Sequence, residues 1–195
     1  MIKMGIDLDG VICDMIADFL IEAKKRHNLE INKEDLTDYD VWDATSISRD
    51  QAKGIYRDGI FLAKLGVVPG AEEYIYNLYT AGVFIHIITA RYENRKISTE
   101  GWLSDNSIVY DMLSFVPANT KAKFAERNGI DVFIEDKYST ALDLGNVCRA
   151  VFLIDYPWNQ GVLPRNVYRV SGWKSIINHG AFNGMINRDS FLYEM

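Results

Sequence analysis

Two aspartates near the start of the chain have the spacing of a shared cation site. Asp7 and Asp9 directly follow an apolar run that is typical of a buried strand, Ile2–Ile6. Residues two apart on a strand face the same way, and Gly10 permits the backbone to turn just beyond them. Because two carboxylates repel each other in a small volume unless a cation joins them, the pattern predicts a Mg²⁺ site. A strand followed by a solvated Asp-Gly turn is the alternative.

A second apolar run also ends in paired acids. The run 132–134 leads directly into Glu135 and Asp136. A third carboxylate beside Asp7 and Asp9 would complete a cation site made of hard oxygen ligands. The alternative, a solvated acidic turn, would now have to hold at two separate strands of one sheet.

Candidate phosphate-binding groups also follow apolar runs. Thr89 closes a strand-like run, so its hydroxyl and the next backbone amides could hold a phosphate oxygen; an ordinary strand-end threonine is the alternative. Lys121 begins a helical segment, where a cation is slightly unfavourable for the helix dipole, and this indicates a role. A solvated lysine is the alternative there, and Lys123 is a competing candidate. Arg91 could reach a substrate phosphate or remain a solvated loop charge.

The pattern of the whole chain indicates a parallel sheet that would carry these residues. Apolar, β-branched runs alternate with helical patterns, which indicates a Rossmann-like α/β fold with helices on both faces of the sheet. The predicted strands are Lys3–Asp7, Val83–Thr89, Met112–Val116, Val132–Glu135, Val151–Asp155 and Val167–Val170. The predicted helices between them are Ala71–Ala81, Asn94–Asp105, Thr120–Asn128 and Thr140–Leu144.

A long interval after the first strand breaks this alternation. It contains two helical patterns, Met15–His27 and Arg49–Asp58, and is too long for a simple crossover. We therefore predict a small helical cap at 14–69, inserted between core segments 1–13 and 70–195. Such a cap would stand over the carboxyl ends of the strands, where open α/β folds bind ligands. Four of its aromatic residues could stack on a base or pack the cap's own core: Tyr39, Trp42, Tyr56 and Phe61.

Composition narrows the class of protein. The chain has 195 residues and a net charge of −6, which disfavours wrapping of a nucleic acid polymer. Its two cysteines, Cys13 and Cys148, form no Cys-x-x-Cys pair, so no zinc or redox motif is present. No apolar run approaches the length of a membrane span, and no signal segment precedes the first strand. We expect a cytoplasmic enzyme without membrane partners.

The order Asp-x-Asp-Gly, Thr, Lys and Glu-Asp along the chain resembles the haloacid dehalogenase-like phosphohydrolase superfamily. More narrowly, the chain resembles the group that contains the 5'(3')-deoxyribonucleotidases, over roughly residues 1 to 175. Lys121 stands fifteen residues before Asp136, a spacing similar to that in the family. The segment Asp155–Asn159, followed by Arg169 and Trp173, also resembles the narrower group.

This resemblance implies a role for each matched acid. Asp7 would be the nucleophile that forms an aspartyl-phosphate, which water then hydrolyses. Asp9 would act as general acid and then as base, and its backbone carbonyl would bind the metal. The Mg²⁺ ligands would therefore be Asp7, Asp9 and Asp136. Glu135 departs from the common Asp-Asp pair, and either supports a ligand or binds the metal itself.

The resemblance also implies how phosphate is held. Thr89 and the Ala90 amide would bind the oxygens of the transferring phosphate, and Lys121 would neutralise charge on phosphate and nucleophile. Arg91 joins them as a candidate substrate-binding residue. None of the histidines is needed.

The predicted function is Mg²⁺-dependent hydrolysis of a small phosphomonoester, with a nucleoside monophosphate as the substrate suggested by the resemblance. One alternative is a phosphatase of a sugar phosphate or another metabolite, and another is a metal- and phosphate-binding domain without turnover. The sequence leaves a homodimer open. Four aromatic or apolar residues near the end of the chain could pack onto the core or onto a neighbouring subunit: Phe182, Phe191, Leu192 and Tyr193.

Overall fold

The computed structural model of the chain describes residues 1–184, and its centre is a parallel β-sheet. Six strands lie in the order β3-β2-β1-β4-β5-β6, and each paired neighbour runs parallel. The strands are β1 (Lys3–Ile6), β2 (Phe84–Thr89), β3 (Met112–Phe115), β4 (Val132–Glu135), β5 (Ala150–Ile154) and β6 (Val167–Val170).

Helices connect the strands and cover the sheet. The α-helices are α1 (Met15–His27), α2 (Val41–Ala44), α3 (Arg49–Tyr56), α4 (Gly59–Ala63), α5 (Ala71–Thr80), α6 (Lys96–Asp105), α7 (Lys121–Asn128), α8 (Tyr138–Gly145) and α9 (Trp173–Ile177). Short 3-10 helices span Lys33–Asp35, Glu93–Arg95, Ala118–Thr120 and Pro157–Asn159.

The sheet is buried on both faces, as the uninterrupted apolar runs predict. Every residue of β4 and β5 is buried, which is expected when helices cover both sides of parallel strands. The predicted Rossmann-like α/β class is therefore confirmed. The ends of the strands differ from the predicted ends by one or two residues. Asp7, for example, lies just past β1. Its backbone N–H still donates to the Ile134 carbonyl at 3.0 Å.

Helices α1 to α4 lie between β1 and α5, so a helical insertion follows the first strand. The chain leaves and returns at one place, because Asp14 N donates to Gly66 O at 2.9 Å and Val68 N donates to Ile12 O at 2.8 Å. We call residues 14–69 the helical insert. Its buried side chains, such as Phe19, belong to the same apolar cluster as the sheet. The division into core and cap domains remains a prediction.

The last described segment packs against the sheet. Phe182 is buried, and its ring meets that of Phe152 edge-on, with centroids 6.2 Å apart. Of the two alternatives for Phe182, packing onto the core is therefore correct. Phe191, Leu192 and Tyr193 lie outside the described residues. Within residues 1–184, no helix is both long and apolar enough to span a membrane.

Candidate active site

The sheet order explains how the predicted site residues meet. Strand β1 lies between β2 and β4, so the residues that follow or end these three strands share one edge. Asp7 follows β1, Thr89 ends β2, and Glu135 ends β4. Carboxyl ends of parallel strands form the ligand-binding edge of an open α/β sheet. The polar residues at this edge are thus assembled by the strand order.

Lys121 joins the acids that follow β1 and end β4. It is the first residue of α7, and its Nζ lies 2.8 Å from Asp7 Oδ1 and 3.0 Å from Glu135 Oε2. Its side chain is only 2% exposed. The ammonium is therefore surrounded by two carboxylates instead of by water. Although burial lowers its pKa, Asp7 and then Glu135 raise it above the ordinary value, so it stays charged. Lys123, the competing candidate, is exposed.

Glu135 has its carboxylate oxygens engaged by this chain. Oε2 accepts from Lys121, while Oε1 accepts from the backbone N–H groups of Asp136 at 3.3 Å and Lys137 at 3.2 Å. The residue is 1% exposed. A carboxylate held in this way fixes the position of the lysine ammonium that it faces.

Three buried acids form a group suited to a metal ion. One oxygen each of Asp7, Glu135 and Asp136 lies within 4.8 Å of the others. Asp136 Oδ1 is buried and has no hydrogen-bond partner among the described residues. Such an orphaned anionic oxygen is costly unless a cation binds it, and hard oxygen donors suit Mg²⁺. The donor set present in this chain therefore fits a divalent metal ion.

Charge crowding in this group is visible in its pKa values. Burial, followed by the Glu135 carboxylate, raises the pKa of Asp7 to about 8, against an ordinary 3.8. Burial and then Glu135 and Asp7 also raise the pKa of Asp136 well above its usual range. Without a metal, one ammonium from Lys121 does not compensate three carboxylates.

Gly10 allows the two acidic segments to approach. Its φ is +85°, and a Cβ at this position would overlap Asp136 Oδ2. Any other residue would therefore collide with the Asp136 carboxylate. The predicted turn is present at this glycine. The closeness of Asp136 is a second reason why a residue without a side chain is needed here.

Asp9 is held by Arg91 rather than by the metal group. The Arg91 guanidinium donates from Nη2 to Asp9 Oδ1 at 2.6 Å and from Nε to Oδ2 at 3.0 Å, and Cys13 Sγ donates to Oδ1 at 3.0 Å. Burial alone would raise the pKa of Asp9, but Arg91 outweighs it and lowers that pKa. Of the two alternatives for Arg91, a solvated loop charge is wrong, because its side chain is 7% exposed and contacts Asp9.

Thr89 and Ala90 lie beside this pair. Thr89 is fully buried, and its hydroxyl accepts the Arg91 backbone N–H at 3.2 Å. Ala90 is exposed and lines a cavity, whereas Thr89 does not line it.

A cavity of about 660 Å³ lies between the sheet edge and the helical insert. Asp9, Ala90, Arg91 and Asp136 line it on the sheet side. Asp7 and Lys121 are buried and do not line it. A volume of this size is ordinary for a small-molecule site. On the insert side the cavity is lined by aromatic side chains and by cations, including Tyr39, Trp42, Tyr56, Lys53 and Arg57. Phe61 is buried elsewhere in the apolar core, and Tyr56 both lines the cavity and stacks on Phe19 at 4.7 Å.

Two aromatic residues that sequence reasoning gave no role support the first acidic loop. The Tyr156 hydroxyl donates to the Gly10 carbonyl at 3.0 Å, and the Trp173 indole donates to the Val11 carbonyl at 2.9 Å. Both carbonyls belong to the turn that follows Asp9. The available signal was the aromatic segment after β5, but nothing local in it indicates a contact 146 residues away.

Asn159 supports the second acidic loop in the same manner. It is fully buried, and its Nδ2 donates to the Asp136 carbonyl at 2.7 Å and the Ile154 carbonyl at 2.6 Å. Arg169 in turn holds Asn159, donating to its Oδ1 at 2.5 Å and its backbone O at 2.8 Å. A buried asparagine with all these bonds made positions the Asp136 backbone.

The chain as a whole matches known proteins. A model of the family described as 5' nucleotidase, deoxy (pyrimidine), cytosolic type C protein matches residues 1–180. The chain belongs to this family. It is therefore an enzyme, a phosphatase of the nucleotidase type, and the resemblance stated from its motifs is confirmed.

Individual relatives agree with this nucleotidase family. A nucleotidase of Clostridium acetobutylicum is 27% identical over 179 residues, covering 90% of this chain and 91% of the relative. A protein of Chlorobaculum tepidum named "Putative 5'(3')-deoxyribonucleotidase" is 28% identical over 148 residues, covering 69% of each chain.

Solved structures agree on the fold. The D,D-heptose 1,7-bisphosphate phosphatase of B. bronchiseptica, complexed with magnesium and phosphate, is 13% identical, with a TM-score of 0.53 and coverage of 91% of this chain and 97% of that one. A haloacid dehalogenase-superfamily hydrolase of Geobacter sulfurreducens is 18% identical, with a TM-score of 0.57 and coverage of 91% and 98%.

Proposed function

We propose that this nucleotidase hydrolyses nucleoside monophosphates through an aspartyl-phosphate formed on Asp7, with Mg²⁺ as cofactor. The observation that carries the proposal is the state of the Asp7 carboxylate. Its Oδ1 is held by Lys121 Nζ and by the Leu8 N–H, both at 2.8 Å. No hydrogen bond reaches Oδ2 from any described residue, so this oxygen is available as a nucleophile.

The first step transfers the phosphoryl group to this oxygen. A bond forms between Asp7 Oδ2 and phosphorus as the bond from phosphorus to the ester oxygen breaks. The leaving alkoxide takes a proton from Asp9, which lines the cavity. Because Arg91 lowers the pKa of Asp9, this step requires the substrate phosphate to draw the Arg91 guanidinium away, so that Asp9 takes up a proton first. Lys121 stays charged beside Asp7 and offsets the negative charge that nucleophile and phosphate bring together.

The second step hydrolyses the aspartyl-phosphate. Asp9, now ionised, removes a proton from water, whose oxygen attacks phosphorus and returns the Asp7 carboxylate. In the ligand-free protein, Arg91 donates to both Asp9 oxygens and so lies beside the base of this step. Phosphate oxygens are the same kind of bidentate acceptor, and we therefore assign Arg91, with Thr89 and Ala90, to binding of the substrate phosphate.

The metal is assigned to Asp7, Asp136 and the backbone carbonyl of Asp9. The buried, unpartnered Asp136 Oδ1 supports this assignment, since Glu135 is already engaged by Lys121 and two N–H groups. When bound, Mg²⁺ would offset repulsion between the carboxylates and the phosphate. We assign Glu135 to positioning Lys121.

The nucleotide preference rests on the cavity and on the relatives' names. Tyr39, Trp42 and Tyr56 line the insert side of the cavity, where an aromatic base could stack. A sugar phosphate or another metabolite would use the same chemistry without needing these rings.

Phosphate release from a panel of monophosphates tests the proposal, with Mg²⁺ and then with chelator. The panel contains 5'- and 3'-deoxyribonucleotides, ribonucleotides and sugar phosphates, and Asp7→Asn protein is the control. Chelator-sensitive release that is fastest on nucleotides supports the proposal. Release restricted to sugar phosphates keeps the chemistry and rejects the nucleotide, whereas metal-independent release or an active Asp7→Asn protein rejects the mechanism.

A further inference from the structure

Three cations of the cavity wall have no part in the reaction just described. Lys53 lies in α3, and Arg57 directly follows the last residue of that helix. Arg95 lies in the 3-10 helix after β2. All three line the same cavity as Asp9 and Asp136. We call them the insert-side cations.

The insert-side cations lack carboxylate partners. None forms an ion pair of 4.0 Å or less with any acid in residues 1–184. Other cations of the helical insert do: Arg26 lies 2.6 Å from Asp58, and Lys33 lies 2.9 Å from Asp14. Three cations without a carboxylate partner among the described residues therefore line one cavity.

Two of these cations lie close together. Lys53 and Arg57 are four residues apart at the C-terminal end of α3, a spacing at which like charges repel each other. Arg95 adds a third cation, because its Nη2 donates to the Arg57 carbonyl at 2.5 Å. That bond uses one N–H of the guanidinium, and no acceptor in the described part of the chain binds its other N–H groups.

The charge balance on this wall favours an anion. Asp40 also lines the cavity, so three cations face one carboxylate there, in a protein whose net charge is −6. A local reversal of the field against the overall charge attracts anionic ligands to that wall. Arginine in particular suits phosphate, since it offers paired donors in a planar fork.

The scissile phosphate does not account for these cations. It is assigned to the sheet side, where Lys121 contacts Asp7 and Arg91 contacts Asp9. The same cavity also presents Tyr39, Trp42 and Tyr56, whose rings suit an uncharged part of a ligand. A molecule that filled the cavity would place a second anionic group against the insert-side cations.

We propose that the insert-side cations form a second phosphate subsite, so that a nucleotide carrying a second phosphate is bound more tightly than the matching monophosphate. The proposal rests on the proposed function, because it takes the Asp7 end of the cavity as the site of hydrolysis. The second phosphate is bound there and is not cleaved.

The test compares kcat/KM for a deoxynucleoside 3',5'-bisphosphate with that for the matching 5'-monophosphate, with Mg²⁺ present. We expect a preference of at least about tenfold for the bisphosphate, the scale of one charge-assisted hydrogen bond. The double variant Lys53→Gln/Arg57→Gln should bring this ratio close to one, and Arg95→Gln should lower it less. Lys64→Gln, an exposed lysine of the insert outside the cavity, is the matched control and should leave the ratio unchanged.

Calorimetry on Asp7→Asn protein measures the Kd of each compound. The ratio of these Kd values reports the preference without turnover. If the unaltered enzyme hydrolyses neither compound, the proposed function is rejected. The ratio of the two Kd values then decides independently whether the second subsite exists. Equal kcat/KM for both compounds, or a preference that survives the double variant, overturns the second subsite while leaving the proposed function intact.

Discussion

The two sides of the cavity differ in how their charges are held. On the sheet side, Lys121 contacts both Asp7 and Glu135, and Arg91 contacts Asp9, all with largely buried side chains. On the insert side, Lys53 and Arg57 have no ion-pair partner among residues 1–184.

Under the proposed function, this difference separates the groups that react from the groups that recognise the substrate. Reacting groups must be fixed before the substrate arrives, because preorganised charges need no rearrangement during the reaction. Groups that recognise a substrate gain from being left unpaired, because the substrate then supplies the partner. Changes on the sheet side should therefore affect kcat, and changes on the insert side should affect KM and substrate preference.

The largest expected effect on the sheet side comes from Asp7→Asn. Loss of the nucleophilic oxygen should lower kcat by on the order of 10³-fold or more. The fold should survive, because the replaced carboxylate is buried among other acids. Phosphate release measures kcat, and thermal unfolding measures the stability of the fold. Asp105→Asn, a change at an exposed aspartate of α6, is the control. An Asp7→Asn protein that kept its rate would exclude Asp7 as nucleophile.

Lys121→Met should reduce both activity and stability. Removal of the ammonium leaves Asp7 and Glu135 uncompensated in a buried site, which typically costs about 3–5 kcal/mol. We expect kcat to fall by about 10²- to 10³-fold. Lys123→Met is the matched control, two residues away and exposed, and should change the free energy of unfolding by less than about 0.5 kcal/mol.

A second change separates the two roles of Lys121. Adding Glu135→Gln to Lys121→Met removes one of the uncompensated charges, so stability should partly recover while activity does not. If activity recovered as well, the ammonium would not be required for the reaction.

Metal binding should reverse the pH dependence of stability. The pKa of Asp7 is raised to about 8 in the folded, metal-free protein, so its contribution to stability is lost as pH rises from about 4 towards 8. Because Mg²⁺ binds the ionised acids, it should restore stability most strongly at the high end of this pH range. The expected gain in the free energy of unfolding is ~2.7 kcal/mol when the Mg²⁺ concentration is a hundred times its Kd. Thermal unfolding with Mg²⁺ or chelator at pH 6 and pH 8.5 measures this effect.

Asp136→Asn protein is the control for that measurement. It should lose most of the Mg²⁺-dependent stabilisation, because the orphaned oxygen is one of the assigned ligands. Stabilisation that persisted in this variant would place the metal elsewhere.

The smallest effect is expected on the insert side. Trp42→Ala should raise KM for a nucleotide by about tenfold with little change in kcat, since stacking of one base contributes about 1–3 kcal/mol. Phe61→Ala is the contrast, because Phe61 is buried outside the cavity and its loss should lower stability by about 3–5 kcal/mol without raising KM. Steady-state kinetics and chemical denaturation separate the two. A lowered kcat in Trp42→Ala would contradict the division between the two sides.

Sequence patterns predicted the sheet because it is built from uninterrupted apolar runs, and each acid lies at the end of such a run. The runs around β4 and β5 are buried throughout, so their hydrophobicity alone identified them. The helical insert was also predicted, from the length of the interval and its amphipathic helices. These features depend on neighbours in the chain and on burial, both of which the sequence displays.

The amino-acid sequence thus determined the fold class and the family, and it singled out Asp7, Asp9, Lys121 and Asp136 as candidate site residues. Tertiary structure decided which charges meet: Arg91 with Asp9, and Lys121 with both Asp7 and Glu135. It also showed Asn159 holding the Asp136 backbone. Such pairs join residues that are distant in the chain, and their energies depend on distance and burial, which no local pattern records.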